Sequence, residues 1–323
     1  MIEGEYKYLI IDAQYYLRRN WCVVKDKEGQ TEFGIIDSFL WTILKLCKQV
    51  RPEKTILLFD KRPYKKESVI SQYKKDRYLV EEDYYNIESQ LSGELSDEKR
   101  KELEEKLAEV TKERDKFRMM GRAKYLLLSE FSTMGFATWQ KQGYEADDLA
   151  YLLGRYCSEH SQRALLVSSD SDWIYSSLPY VDVYRMNKSD NSIYAYDQVK
   201  SSVPESHKSI SLYEFGRLKE IVQDSHNNVE LGVNINFDEA MTLLENNNLG
   251  SIKILNDFFE AMNGNLYYNE LLIELEDILK SKGSISYKRW SDYFKFNHPA
   301  VYFNYYWSIV NKFNRSLYTP IEE

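Results

Sequence analysis

Residues 8–12 read YLIID, residues 56–60 read ILLFD and residues 165–172 read LLVSSDSD. Each is a short, unbroken apolar run that ends in aspartate: Asp12, Asp60, and Asp170 followed by Asp172. Apolar runs this short, separated by helical patterns, read as strands buried on both faces of a parallel sheet. In an open parallel sheet, ligands sit outside the carboxyl ends of the strands. Three strands that each terminate in aspartate therefore deliver carboxylates to one edge. The expected fold class is α/β, a central mostly parallel sheet flanked by helices.

Working outward, residues 38–50 (SFLWTILKLCKQV) predict a helix between the first two strands. Ser96, Asp97 and Glu98 look like an N-cap with acids in the first turn. Leu103, Leu107, Val110 and Phe117 then share one face of a charged helix running to about residue 120, with a second helix expected over 123–134 and stopped by Gly135. Residues 145–160 (EADDLAYLLGRYCSEH) predict another helix, with Glu145 and Asp148 three apart and so on one face near its start. Residues 181–196 read as strands around a turn at 188–191. The pattern is helical and Asn-rich after about 200, which sets a soft boundary there: a sheet domain over 1–200 and a helical one over 201–323. No internal repeat is visible.

The length of 323 residues agrees with two domains at about 150 residues each. With 43% apolar and 29% charged residues, the chain is neither disordered nor fibrous. No stretch approaches the roughly 18–20 apolar residues of a membrane span. The first residues, MIEGEYKY, carry acids where a secretion signal wants bases, so the expected location is cytoplasmic. Three cysteines at non-metal spacing suit a reducing compartment. The net charge of −8 hides segregation, because residues 61–77 hold seven Lys/Arg against two acids while 81–118 hold eight against thirteen. Such a chain can present a basic surface to a polyanion despite its acidic total.

The acids expected at the sheet edge are Asp12, Asp60, Glu145, Asp147, Asp148, Asp170 and Asp172. Crowding them costs several kcal/mol unless protons or cations offset the repulsion. Hard divalent cations are the natural compensation, and two such ions can activate water and stabilise the leaving oxygen of a phosphodiester. The segment after the second strand, KRPYKKESVISQYKKDR, supplies Lys61, Arg62, Lys65, Lys66, Lys74, Lys75 and Arg77 for phosphates, and Tyr73 for stacking on a base.

As a set, LIIDAQYYLRR, LLFD, YKKDR, YEADDLA and SSDSDW resemble the 5′ nuclease superfamily, which includes flap endonucleases, bacterial 5′–3′ exonuclease domains and the ribonuclease H of large tailed phages. The resemblance covers roughly residues 5–240 and is closest to the phage replication enzymes. It implies a PIN-like (Rossmann-like) sheet, a helical arch over about 61–120 and a C-terminal helical domain with a degenerate helix–hairpin–helix near 220–245. It also implies that Asp12, Asp60, Glu145, Asp147, Asp148 and Asp170 are ligands of a first metal cluster, directly or through water, and that Asp172 serves a second ion. Two Mg²⁺ are implied, with Mn²⁺ as the alternative. Lys74 and Arg77 match the pair that touches the scissile phosphate, with Tyr73 beside them, and Arg19 matches an arginine that often follows the first aspartate.

The match departs from the family at residues 223–233, QDSHNNVELGV. Asp224 matches the first acid of the hairpin motif, but Asn227 stands where the family has its second acid, which implies a weaker second metal site. The implied substrate is DNA or RNA–DNA with a 5′ end or flap, cut by a monomer working with phage-type replication proteins such as a single-strand-binding protein or a polymerase clamp. Two alternatives stay open: a PIN-type endoribonuclease for single-stranded RNA, and a flap- or junction-binding replication factor that has lost turnover.

Overall fold

The computed structural model describes residues 5–24, 32–70, 73–74, 79–93, 95–134, 136–186, 191–207, 209–222, 235–246, 248, 250, 252–261 and 264–280. The three acid-tipped runs are the strands β1 (Tyr8–Asp12), β2 (Lys54–Leu58) and, with β3 (Ala137–Trp139) preceding it in sequence, β4 (Ala164–Ser168). β5 (Val181–Met186) and β6 (Asn191–Tyr194) complete a six-stranded sheet of order β3-β2-β1-β4-β5-β6. Every pairing is parallel except the last. All residues of β1, β2 and β4 are buried, as continuous apolar runs require. The three-residue β3 is too short to show periodicity and was not expected.

Side chains alternate between two cores. Leu9, Ile11, Leu57, Phe59 and Val167 face α1 (Ala13–Val24), α2 (Glu32–Val50) and the end of a long helix described below. Tyr8, Ile10, Ile56, Leu58 and Leu166 face the opposite way, onto Leu149, Leu152 and Leu153. After β2 come α3 (Tyr64–Val69), then α4 (Val80–Leu91) antiparallel to α5 (Asp97–Met134). The two helices expected over 97–134 are one helix of 38 residues. Gly121 does not break it, because it faces open space and the ladder runs on to Ala123 and Leu127, both buried against the sheet. Near the start of α4, Glu81 binds Arg114 at 2.9 Å and Arg118 at 3.0 Å, tying α4 to α5.

α6 (Ala146–Glu159) packs on the second core, and α7 (Tyr196–Ser202), α8 (Leu212–Val222), α9 (Phe237–Glu245), α10 (Lys253–Ala261) and α11 (Gly264–Lys280) follow. Packing crosses the boundary expected near 200. α11 returns to the sheet, burying Leu271, Leu275 and Leu279 beside β3 and α6, while Lys54 donates to the Leu279 carbonyl at 3.0 Å. A lysine at a helix C-terminus also complements its dipole. A third core joins Ile70 and Tyr73 to Leu218, Ile221, Met241 and Phe258, fastening the segment after α3 to α8–α10. The hairpin remnant with Asp224 and Asn227 lies outside the described residues, as do Lys75, Arg77, the turn at 188–190 and the aromatic last forty residues.

Candidate active site

Asp12 ends β1 and caps α1: its Oδ1 accepts from the Tyr15 amide at 2.9 Å and its Oδ2 from the Ser168 hydroxyl at 2.8 Å. Asp60, two residues past β2, accepts from the Ala146 amide at 2.9 Å, which anchors the start of α6 to the sheet edge. Glu145 is the N-cap of α6, and Asp148 closes a capping box by accepting from the Glu145 amide at 3.0 Å. Asp170 and Asp172 follow β4, with the Asp172 amide donating to Asp170 at 3.2 Å. A cavity of about 140 Å³ is lined by Asp12, Asp60, Glu145, Asp147, Asp170 and Asp172, together with Gln14, Tyr15, Arg18, Lys74, Ala146, Trp173 and Glu220. Six of the seven acids singled out in the sequence line this space. The seventh, Asp148, is 4% exposed and lies behind it.

The carboxylates divide into two groups. On one side Glu145 receives Lys66 and Lys74, each at 2.8 Å, and the Tyr73 hydroxyl at 2.9 Å. Asp147 receives Arg217 at 2.9 Å, and Glu220 receives Arg217 at 2.6 Å. Burial alone raises a carboxyl, but Lys66 and Lys74 outweigh it and hold Glu145 well below its ordinary range. Lys66 and Arg217 do the same for Asp147. On the other side Asp12, Asp60, Asp170 and Asp172 make no ion pair within 4 Å with any described residue. Burial, then Asp60 and Asp170, push Asp12 up to about 8. Burial, then Asp170 and Glu220, push Asp172 up to about 6, and burial also raises Asp60 and Asp170. Oxygen donors of this kind, with Asp12 buried, Asp60 and Asp172 half-buried and Asp170 exposed, fit a hard divalent cation.

These shifts set a pH dependence. Asp12, Asp172 and Asp148, whose carboxyl burial lifts to about 7, all bind protons more tightly folded than unfolded. Their stabilisation is complete below the unfolded value of about 4 and is lost as pH rises through 6, 7 and 8. In EDTA, thermal melts are therefore expected to fall steadily between pH 5 and pH 8.5. Added Mg²⁺ is expected to flatten that slope; a flat EDTA profile contradicts the raised carboxyls.

The basic residues fare differently from expectation. Lys66, read from the sequence as a phosphate contact, is 1% exposed and spent on Glu145. Tyr73, read as a base-stacking ring, is fully buried, and its hydroxyl donates to Glu145 and Glu220. Both correct the sequence reading, and the cause is the third core, which draws Ile70 and Tyr73 inward. Arg19 donates to the Met186 carbonyl at 2.8 Å and holds the end of β5, while its neighbour Arg18 lines the cavity. One residue turns a helix by about 100°, so the adjacent arginine faces the acids. Lys65 is held by Tyr144 and Glu270, and Arg62 by Glu67. Lys74 does enter the acidic cavity. Beside it lies a larger cleft of about 760 Å³ between α1, α4 and α5, lined by Arg18, Lys61, Arg62, Arg114, Lys116 and Lys124 among others.

Glu220, Arg217, Arg18 and Lys124 went unnoticed in the sequence. The available signal for the first two was a charged pair at i, i+3 among the apolar residues of FGRLKEIV. They reach the site because Gly216 lets α8 lie against the 3-10 turn Asp172–Ser176: a Cβ there would stand 2.6 Å from Tyr175 Cβ.

A mostly parallel α/β sheet with a buried acidic cluster over its carboxyl edge defines a PIN-like, resolvase-like domain. Residues 7–203 match the family of the 5′-3′ exonuclease, N-terminal resolvase-like domain, and the chain belongs to that family. No curated protein matches it. Among solved structures, a bacteriophage T5 protein co-crystallised with metal ions is 18% identical over 94% of this chain and 98% of its own, with a TM-score of 0.47. A T5 5′-exonuclease with bound zinc is 17% identical over the same shares, with a TM-score of 0.46. The catalytic core of Rad2 in complex with a DNA substrate is 15% identical over 93% of this chain and 78% of its own, with a TM-score of 0.40.

Proposed function

We propose that this chain is a divalent-metal-dependent 5′ nuclease that hydrolyses phosphodiesters of DNA or RNA–DNA bearing 5′ ends or flaps. The observation that carries this reading is the convergence of Asp12, Asp60, Asp147, Asp170 and Asp172 on one cavity beside a cationic cleft. Asp12, Asp60, Asp147, Asp170 and Asp172 would hold two Mg²⁺, or Mn²⁺ in their place. The ions would supply a more acidic water and neutralise charge on the leaving oxygen.

The protein's own groups do the rest. Lys74 places a positive charge inside the acidic cavity, where a phosphate must come to react. Arg18, Lys61, Lys116 and Lys124 line the neighbouring cleft and would guide the sugar–phosphate chain beneath the α4–α5 pair. Lys124 donates to the Asp60 carbonyl at 2.6 Å, and burial lowers it to about 8, so it also braces the metal-binding edge. Removal of primers or flaps in phage-type replication is the setting that the family resemblance suggests. There the partners would be a single-strand-binding protein or clamp in the host cytoplasm. Among the described residues, no helix is long and apolar enough to cross a membrane.

A 5′-labelled flap incubated with Mg²⁺ or Mn²⁺ tests the reading. Cleavage that stops in EDTA and in Asp170→Asn/Asp172→Asn supports it. Faster cutting of a matched single-stranded RNA transfers the chain to the endoribonuclease reading. Tight flap binding with no cleavage under either ion makes it a binding factor.

A further inference from the structure

With Tyr73 turned inward, one aromatic side chain remains among the described residues that line the cationic cleft: Phe117 of α5. Its helix face also carries Leu103, Leu107 and Val110, at the spacing of an apolar seam. Leu103 is buried beneath α4, as is Ile87 on α4 itself. Phe117 is 36% exposed. Glu81, the second residue of α4, already pairs with Arg114 and Arg118, so the helix that screens the seam begins level with Phe117. The ring therefore opens on the cleft.

A single exposed apolar side chain is ordinary on a protein surface. This one stands in a cation-lined wall, with Lys116 Nζ 5.4 Å from the centre of its ring. The apolar side chains of Val80 and Met120 line the same space. At about 760 Å³ the cleft falls within the roughly 300–1,000 Å³ of clefts that hold organic ligands, which leaves room for a nucleotide. Gln14, Arg18, Asp60 and Glu145 line both the cleft and the acidic cavity, so one strand can run from the first into the second.

We propose that Phe117 is a base-binding residue: its ring stacks on an unpaired base of the 5′ strand while the cations around it take the flanking phosphates. This deepens the nuclease reading and rests on it for which strand lies in the cleft. A basic groove joined to an aromatic platform holds single strands without reading their sequence, because every base has a π-face. A base inside a duplex is stacked on its neighbours and must leave the stack to offer that face. The cleft thereby selects an unpaired strand over a duplex, and any base over an abasic gap.

The test is affinity for a 5′ flap in EDTA, read by fluorescence anisotropy, with one abasic residue moved stepwise along the unpaired arm from the junction. Wild type is expected to lose about tenfold at one or two positions, the scale of one base–aromatic stack. Phe117→Ala and Phe117→Leu are expected to bind the intact flap about tenfold more weakly and to be indifferent to the abasic residue at those positions, a non-additive cycle. Leucine keeps apolar area without a π-face, so it separates stacking from plain apolar contact. Phe117→Trp is expected to restore the base dependence, and circular dichroism checks that each variant folds.

A merely structural role weakens intact and abasic flaps alike at every position. That additive result, or an unchanged affinity of Phe117→Ala for the intact flap, overturns the proposal while leaving a cleaving wild type as the nuclease. Base-dependent coupling in a wild type that cleaves under neither Mg²⁺ nor Mn²⁺ supports the stacking and overturns the nuclease reading. A wild type that binds no flap overturns both.

Discussion

Asp12→Asn is expected to cut a 5′ flap about a thousandfold more slowly than wild type at saturating Mg²⁺, a loss of roughly 4 kcal/mol of transition-state stabilisation. Asp12 is 7% exposed at the tip of the central strand, and like-charged Asp60 and Asp170 bear on it, while among the described residues it has no ion pair. An ionised carboxylate there is tolerable chiefly as a metal ligand. The same argument fixes an opposite effect on stability. In EDTA at pH 8 the wild type carries the cost of that buried charge, whereas asparagine keeps an oxygen for the Tyr15 amide without it. The variant is expected to be more stable by about 1–3 kcal/mol under those conditions. Its flap kinetics and its melts in EDTA are measured on one preparation. A variant that loses activity and stability together would show that Asp12 acts through the fold and not through a cation.

Lys74→Gly is expected to lower kcat by about 10²–10³ with flap binding little changed, the scale of removing one preorganised donor to developing charge. Lys74 is the basic residue of its segment seen inside the acidic cavity, where it rests on Glu145 at 2.8 Å. Burial lowers its affinity for protons, but Glu145 and Glu220 more than reverse this, so it is held charged. Glycine is the informative substitution because Lys74 has φ of +50°, a left-handed conformation costing a non-glycine residue about 1 kcal/mol. Removing the side chain therefore relieves the backbone while Glu145 keeps Lys66 and Tyr73. A melting temperature within a few degrees of wild type, beside a large loss of kcat, separates chemistry from folding. Unchanged kcat would remove Lys74 from the reacting phosphate.

The strands β1, β2 and β4 were legible because a strand buried on both faces leaves a local mark, and so was the acid at each tip. The helix starting after Glu145 was legible too, since its cap and apolar stripe lie within sixteen residues. β3 left no mark, being three residues long. The break expected near residue 120 was wrong because a solvent-facing glycine weakens a helix without ending it. The roles of Lys66 and Tyr73 were misread for a different reason. A basic, tyrosine-containing segment looks the same whether it faces phosphate or turns inward to neutralise acids.

The sequence alone therefore settled that this is an acid-edged parallel sheet, because strand periodicity and chain direction are encoded within a few residues. Tertiary structure decided which basic side chains turn inward onto these acids and which line the cleft beside them. That decision depends on pairs such as Lys66 with Glu145 and Arg217 with Asp147, 79 and 70 residues apart. A Coulomb interaction falls with distance through space, and distance along the chain carries no record of it.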